Sequence, residues 1–269
     1  MGVAVFRSML GLLATAAWAT LALLLRPFFR RSVAVLQPLW ARTVLRLAGV
    51  RVSVHPRAPV HGPVVYAANH QSGLDILVLI GCMPDSVRFV AKREMANAPF
   101  TGWCMRAADY VFIDRSNSAR AIESLKAAAA DLRSGGRSLV MFPEGTRYHP
   151  GELGPFKMGA FHLALQAGVP LVPVGLRGTG DLMERRSLMC RAGSVELHVG
   201  EPVDPAAWVG REKELRDHVR RQVRELAGPT AARDASQAAV ADARAERPER
   251  RGSAQRVHGG VKDRQGWVQ

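Results

Sequence analysis

Between about residues 50 and 228, short apolar runs alternate with stretches of helical period, and this alternation limits the possible folds more than any other feature of the chain. "PVVYAA" (63–68), "RFVA" (88–91), "YVFI" (110–113), "SLVMF" (138–142), "PLVPVGL" (170–176) and "SVELHVG" (194–200) have the length and β-branched content of buried strands. Between them lie helical patterns. "SARAIESLKAAAADLRSGG" puts Ile122, Leu125 and Leu132 on one face, opens at Ser118 as a possible cap and stops at Gly135-Gly136, while "FKMGAFHLALQAG" stops at Gly168. Strands alternating with helices predict an α/β fold, a central, mostly parallel sheet flanked by helices, with functional groups gathered at the strand ends. With 269 residues, 48% of them hydrophobic, the chain can fill such a core. No internal repeat is visible.

The two ends differ from this middle. "SMLGLLATAAWATLALLL" (8–25) is an uncharged run of 18 residues, about 27 Å long as a helix against a hydrocarbon core of about 30 Å. Ala17-Trp18-Ala19 imitates a signal-peptide cleavage site, yet the apolar run continues to Leu25 and only Arg7 precedes it, so a retained anchor is expected. Arg26, Arg30 and Arg31 after the run favour a cytoplasmic location for the rest of the chain. Next, Leu36, Trp40, Val44 and Leu47 recur at helical spacing with Arg42 and Arg46 on another face, the pattern of an interfacial helix; a core-packing helix with solvated arginines fits as well taken alone, but directly after the apolar run the interfacial reading is preferred. From Pro229 onward the chain is Ala, Arg, Asp, Glu and Gly with few large apolar residues, which predicts a disordered tail over 229–269. Residues 1–50 are thus expected to anchor the chain to a membrane and 51–228 to form the folded domain.

Lys and Arg number 37 against 23 Asp and Glu, a net charge of +14 that suits anionic partners: lipid head groups, phosphorylated substrates or nucleic acid. Aromatics are only 6% and no nucleic-acid recognition module is present, so a basic nucleic-acid-binding protein is the weaker reading. Cys82, Cys104 and Cys190 are scattered and odd in number, which indicates neither a disulfide framework nor a zinc knuckle.

Chemistry gathers where strands end. "NHQSGLD" (69–75) leads from the strand "PVVYAA" to the apolar helix "ILVLIGC". His70 has the residue type of a general base, and Asp75 could fix its tautomer; alternatively Asn69, Ser72 and Asp75 build a turn and His70 is a satisfied interior imidazole. No G-x-S-x-G elbow surrounds Ser72, so direct attack by a substrate hydroxyl is preferred to a hydrolase using Ser72 or Ser138. A second strand end reads "FPEGTR" (142–147): Gly145 permits close backbone approach, Thr146 offers a hydroxyl, Arg147 can grip a phosphate bidentately and Glu144 adds a carboxylate. Lys92 and Arg93 end a third strand, Asp114 and Arg115 a fourth. Four such strand ends suggest one site for an anionic substrate.

These blocks resemble the 1-acyl-sn-glycerol-3-phosphate (lysophosphatidic acid) acyltransferase family, whose hallmarks are NHxxxxD and FPEGTR. "AKREM", "VFIDR" and "PLVPVGL" look like that family's other blocks, and the likeness covers about residues 35–200. Gly73 stands where a larger residue is expected, and "KREM" replaces the more usual "KKEL". The resemblance implies the glycerolipid acyltransferase fold and, at the membrane's cytoplasmic face, transfer of an acyl group from acyl-coenzyme A or acyl carrier protein to the 2-hydroxyl of lysophosphatidic acid. Another lysolipid such as lyso-ornithine lipid is the alternative acceptor. It further implies His70 as base, Asp75 as its orienter, Glu144, Gly145, Thr146 and Arg147 as acceptor-binding groups, and Lys92, Arg115 and Arg147 as phosphate ligands. No bound cofactor or metal is implied, and the sequence offers no His/Cys ligand spacing.

Overall fold

The computed structural model describes residues 2–25, 32–99, 101–114, 116–185 and 187–228, so Arg26, Arg30, Arg31, Arg115 and the expected tail 229–269 lie outside the described residues. In chain order the elements are α1 (Gly2–Leu25), α2 (Ser32–Ala48), β1 (Val50–Pro56), β2 (Val65–Ala68), α3 (Leu74–Cys82), β3 (Arg88–Lys92), a 3₁₀ turn (Arg93–Asn97), α4 (Thr101–Ala107), β4 (Val111–Ile113), α5 (Ser118–Arg133), β5 (Leu139–Met141), α6 (Gly159–Ala167), β6 (Leu171–Arg177), α7 (Thr179–Leu182), β7 (Gly193–Val199), a second 3₁₀ turn (Pro205–Trp208) and α8 (Glu212–Leu226).

Seven strands form one sheet in the order β1-β7-β6-β2-β5-β3-β4. The pairs β2–β6, β2–β5, β5–β3, β3–β4 and β1–β7 are parallel, and β6–β7 is antiparallel. The sheet is therefore mostly parallel, and β2, β5, β3 and β4 bring their C-terminal ends to one edge. This is where the NHxxxxD, FPEGTR, Lys92 and Asp114 positions gather. All six strands expected from the sequence are present. A seventh, β1, runs over "VRVSVHP" and is not among those expected; the expected domain boundary at residue 50 falls on its first residue.

Two apolar layers cover the sheet. One is built from Tyr66, Ala68, Val140, Val172, Val174, Leu176, Val195, Leu197 and Val199 against α2 and α3. The other sets Val65, Ala67, Leu139, Met141 and Leu171 against α5, α6 and α8. Residues that alternate along one strand enter opposite layers, as pleating requires of a sheet covered on both faces. Two local expectations need correction. Asn117, not Ser118, caps α5, its Oδ1 accepting from the Arg120 N–H at 3.1 Å, because its extended backbone lets the side chain reach back over the first turn. Ile122 lies exposed, since the face of α5 that meets the sheet is carried by Ala128, Ala129 and Leu132.

The 24-residue α1 is about 36 Å long at about 1.5 Å per residue, long and apolar enough to cross a membrane. Phe6, Met9, Leu12, Leu13, Leu21 and Leu24 are exposed along it. Its inner side rests on α2, where Trp40 Nε1 donates to Thr15 Oγ1 at 3.3 Å. α2 buries Ala41, Leu45 and Ala48 in the same layer as α3 while Arg42 Nε caps the Gly81 carbonyl at 2.6 Å, which is the core-packing reading of its periodicity.

Candidate active site

β2 ends at Ala68 and the chain turns through residues 69–73 before α3, a turn held by side chains rather than by a regular cap. Asn69 is buried and pairs with Leu176 of β6 twice: Nδ2 donates to its carbonyl at 3.0 Å and Oδ1 accepts from its N–H at 2.7 Å. The amide thus replaces a backbone partner one residue beyond the β2–β6 ladder. Ser72 Oγ donates to the Met183 carbonyl at 2.7 Å and accepts from Leu74 N–H at 3.2 Å, so its hydroxyl is spent on structure. Ser138 Oγ likewise accepts from Val64 N–H at 3.2 Å, next to the start of β5 and away from the end that carries FPEGTR. Neither serine is presented as a nucleophile.

His70 and Asp75 meet. Nδ1 of His70 lies 2.7 Å from Oδ2 of Asp75, which is completely buried in the first turn of α3. The same oxygen accepts the N–H groups of Gln71 at 2.8 Å and Ser72 at 2.9 Å. Three donors on one oxygen leave the carboxylate a single orientation, and the N–H of the imidazole is drawn to Nδ1. Nε2 is then the acceptor nitrogen. It faces Arg147, whose Nε donates to it at 3.4 Å. The imidazole is about 13% exposed and stacks on Phe142 with ring centroids 3.9 Å apart and planes 15° apart. Its ring plane is thus set from both sides of the motif pair.

The FPEGTR loop grips the backbone of His70. Glu144 Oε1 accepts the His70 N–H at 2.8 Å, and the Tyr148 N–H donates to the His70 carbonyl at 2.9 Å. Glu144 Oε2 accepts Gly154 N–H at 2.8 Å, so both oxygens of a carboxylate only 3% exposed serve backbone groups. Burial pushes its pKa up to about 7, opposed by those two N–H donors. Gly145 comes next with φ +71°, a left-handed turn that a side chain would strain, and Lys157 Nζ lies over it, 2.9 Å from where a Cβ would stand. Arg147 is further held by Nη1 donating to the Arg185 carbonyl at 3.1 Å. A Cβ on Gly73 would meet Met183 and Arg147 Nη2 at ordinary contact distances, so the glycine leaves room beside the arginine that a larger residue would fill.

Of the residues expected from the sequence, His70, Asp75, Glu144 and Arg147 form one connected group. Thr146 is exposed on the same loop and Gly145 shapes it. Lys92 ends β3 on the same sheet edge and pairs with Glu94 at 3.2 Å, both exposed. Asp114 accepts from Ser116 and faces Arg120 at 3.6 Å, ordering the approach to α5. Sequence reasoning missed Asn69 as a strand extender, Phe142 as the stacking partner of His70, and Lys157. The first two sit inside the quoted motifs; Lys157 is visible only as a cation after "GELGPF".

Residues 49–177 match the family model described as Acyltransferase. The 1-acyl-sn-glycerol-3-phosphate acyltransferase of Saccharomyces cerevisiae is 37% identical over 143 residues, 52% of this chain and 47% of that protein. The human 1-acyl-sn-glycerol-3-phosphate acyltransferase alpha is 37% identical over 159 residues, 58% of this chain and 56% of that protein. The chain thus spans about half the length of the curated relatives it matches. The crystal structure of the 1-acyl-sn-glycerophosphate (LPA) acyltransferase PlsC from Thermotoga maritima is similar at a TM-score of 0.65 and 28% identity, covering 81% of this chain and 95% of that one. The matched residues take in β1 to β6 and therefore both motif loops.

Proposed function

We propose that the protein transfers a fatty acyl group from a thioester donor to the 2-hydroxyl of 1-acyl-sn-glycerol 3-phosphate, giving phosphatidic acid. One observation carries the reading: the Asp75-oriented imidazole of His70 aims its acceptor nitrogen at Arg147, so a base and an anion-gripping group share one position. The acceptor's phosphate, held by Arg147 with Lys92 and Arg115, brings its hydroxyl to Nε2. His70 takes that proton as the oxygen attacks the thioester carbonyl. Asp75 stabilises the imidazolium that results. The tetrahedral intermediate collapses, the carbon–sulfur bond breaks, and the proton passes from His70 to the departing thiolate of coenzyme A or acyl carrier protein. No acyl-enzyme forms, in keeping with the two structural serines. Glu144 serves the acceptor indirectly through the backbone of His70, and Gly145 and Thr146 line the loop it meets.

The protein acts at the cytoplasmic face of the cell membrane, anchored by α1, with membrane lipids as partners and no specific nucleic acid. Residues 1–50 serve as the anchoring part and 51–228 as the catalytic part. The test uses the full chain in phospholipid nanodiscs with acyl-coenzyme A or acyl carrier protein and a panel of lysolipids, products being identified by mass spectrometry. Phosphatidic acid from the unmodified protein, and about 10² to 10⁴-fold less from His70→Ala, is expected for loss of a general base. Because the FPEGTR loop holds His70 by its backbone, His70→Ala keeps those bonds and its melting temperature should stay close to that of the unmodified protein. Preferential acylation of another lysolipid would replace the acceptor; activity surviving in His70→Ala would remove the base.

A further inference from the structure

A second cluster of chemically capable side chains lies outside the catalytic loops, on β1 and β7. Val195, Leu197 and Val199 of β7 enter the core, so Glu196 and the intervening His198 face the other way. β1 runs parallel to β7 with His55 in register with His198, and the two rings stack with centroids 4.6 Å apart and planes 16° apart. His198 Nε2 is 2.9 Å from Glu196 Oε2. One ligand atom from each of His55, Glu196 and His198 can be chosen so that all three lie within 4.8 Å of one another. β6 stands between β7 and the β2 strand that delivers His70, so this cluster is separate from the base.

We propose that His55, Glu196 and His198 bind one divalent cation of the Zn²⁺ class. Two imidazoles and a carboxylate are a donor set that Zn²⁺ takes in tetrahedral geometry, with water in the fourth position. Ligands about 2.0 to 2.2 Å from the ion stand about 3.3 Å apart, so the cluster needs to contract by up to about 1.5 Å at its widest. His55 can supply that movement, because it is exposed on the edge strand, with one face of its ring on the His198 ring. The ion would replace the hydrogen shared by His198 and Glu196.

Arg177 on β6 lies 3.5 Å from the Glu196 carboxylate and faces the cluster from that side. Its Nε and Nη2 are committed to the carbonyls of Leu226 and Glu225 at the end of α8, so it is held in place and acts on Glu196 as an outer partner that orients the carboxylate. The repulsion it adds favours an ion that bonds strongly to imidazole over Mg²⁺ or Ca²⁺, which draw their binding from carboxylate charge. The site would join β1, an edge strand paired on one side only among the described residues, to the body of the sheet.

The full chain in detergent, stripped with chelator, would be titrated with Zn²⁺ against a chromophoric competitor and separately with Co²⁺. One equivalent of Zn²⁺, visible-range absorption of tetrahedral Co²⁺, and a melting temperature that rises with Zn²⁺ are expected. His55→Asn, His198→Ala and Glu196→Gln should each weaken binding by more than about 10-fold, the least that loss of even an outer partner costs. His70→Ala should bind as the unmodified protein does. Absence of uptake at micromolar Zn²⁺ would overturn the proposal. So would uptake that survives His55→Asn and His198→Ala, or that disappears in His70→Ala. His55 is exposed, so its variant keeps the fold and the comparison stays informative if His198→Ala is unstable.

Discussion

Asp75→Asn separates the charge of the orienting residue from its geometry. Oδ2 of Asp75 accepts three hydrogen bonds, from His70 Nδ1, Gln71 N and Ser72 N, whereas the buried Oδ1 has no hydrogen-bond partner among the described residues. An asparagine there must place its amide oxygen at the Oδ2 position, because an NH₂ would oppose two backbone donors. The imidazole therefore keeps its tautomer and the charge facing the imidazolium is removed, while the NH₂ at the buried Oδ1 position lacks an acceptor among the described residues and lowers the melting temperature. With charge centres about 4 Å apart and an effective dielectric of about 20, that charge is worth about 4 kcal/mol; exchanging a charged for a neutral acceptor gives a lower bound of about 1 kcal/mol. The expected fall in kcat/KM is about 5 to 10³-fold, with KM for both substrates nearly unchanged. In a Ser-His-Asp triad the same change costs about 10⁴-fold because the amide flips and the wrong tautomer results. Steady-state kinetics of the full chain in nanodiscs, alongside its melting temperature, decides the matter. A loss of about 10⁴-fold or more with an intact fold would mean that the two backbone donors fail to fix the amide. Unchanged kcat/KM would show that the Asp75 charge does not act on the reaction.

Arg147→Ala should raise the KM for the phosphorylated acceptor by about 10-fold or more, as loss of a charge-assisted bond of about 1.5 to 3 kcal/mol requires, while an uncharged glycerol analogue is affected much less; equal effects on both acceptors would refute the phosphate assignment. Glu144, raised from 4.5 to about 7, holds a proton in the folded state that the unfolded chain has lost, so its contribution to stability falls as pH rises from about 4.5 to 7, by up to about 3 kcal/mol. Thermal unfolding measured from about pH 5 to 8 should show the unmodified protein losing stability relative to Glu144→Gln, and parallel curves would contradict the shift. Asn69→Ala should cost about 2 to 4 kcal/mol in denaturant unfolding, because it leaves the buried N–H and carbonyl of Leu176 without partners; a cost under about 1 kcal/mol would mean that β2 and β6 do not need the amide.

The six expected strands are legible because each is a β-branched run bounded by Gly, Pro or charge, and buried parallel strands leave that mark. β1 alternates Val50, Val52 and Val54 with Arg51, Ser53 and His55, a period-two pattern hidden by the helical run directly before it. Strand direction is not legible: nothing in "SVELHVG" says that β7 opposes β6, since direction depends on where the segment between Leu182 and Gly193 travels. At the site, His70, Asp75 and Arg147 can be read because strand ends collect functional groups and these residue types carry the chemistry. The task of Glu144 cannot, because its partners are backbone groups of His70, 74 positions away, and of Gly154. A motif letter tells which atom is available; only the fold tells which backbone it serves. The β1–β7 cluster shows the same limit, since His55 and His198 become neighbours only through strand register.

The segment after α7 links the two motif loops to the anchor. The Met183 carbonyl accepts from Ser72, the Arg185 carbonyl accepts from Arg147, and Cys190 N–H donates to Ser8 Oγ of α1 at 3.1 Å. One short stretch therefore touches the NHxxxxD loop, the FPEGTR loop and the apolar helix, and it exposes Leu188 and Met189 beside that contact. For the reaction proposed, this proximity has a physical reason. Each methylene withdrawn from a bilayer costs about 0.8 kcal/mol, so an acyl chain of ordinary length cannot be lifted far into water to meet a base. Under the proposed function the base would instead have to come to the head group, with α1 setting its height at the interface. Arg147 and His70 would then meet the phosphate and hydroxyl while the acceptor's chain stays among the lipids. Loosening α1 from the segment by Ser8→Ala, and from α2 by Gly11→Leu beside Val44, should therefore lower activity toward acceptors in bilayers more than toward short-chain acceptors free in solution. Equal losses on both would place the linkage in folding rather than in access to lipid.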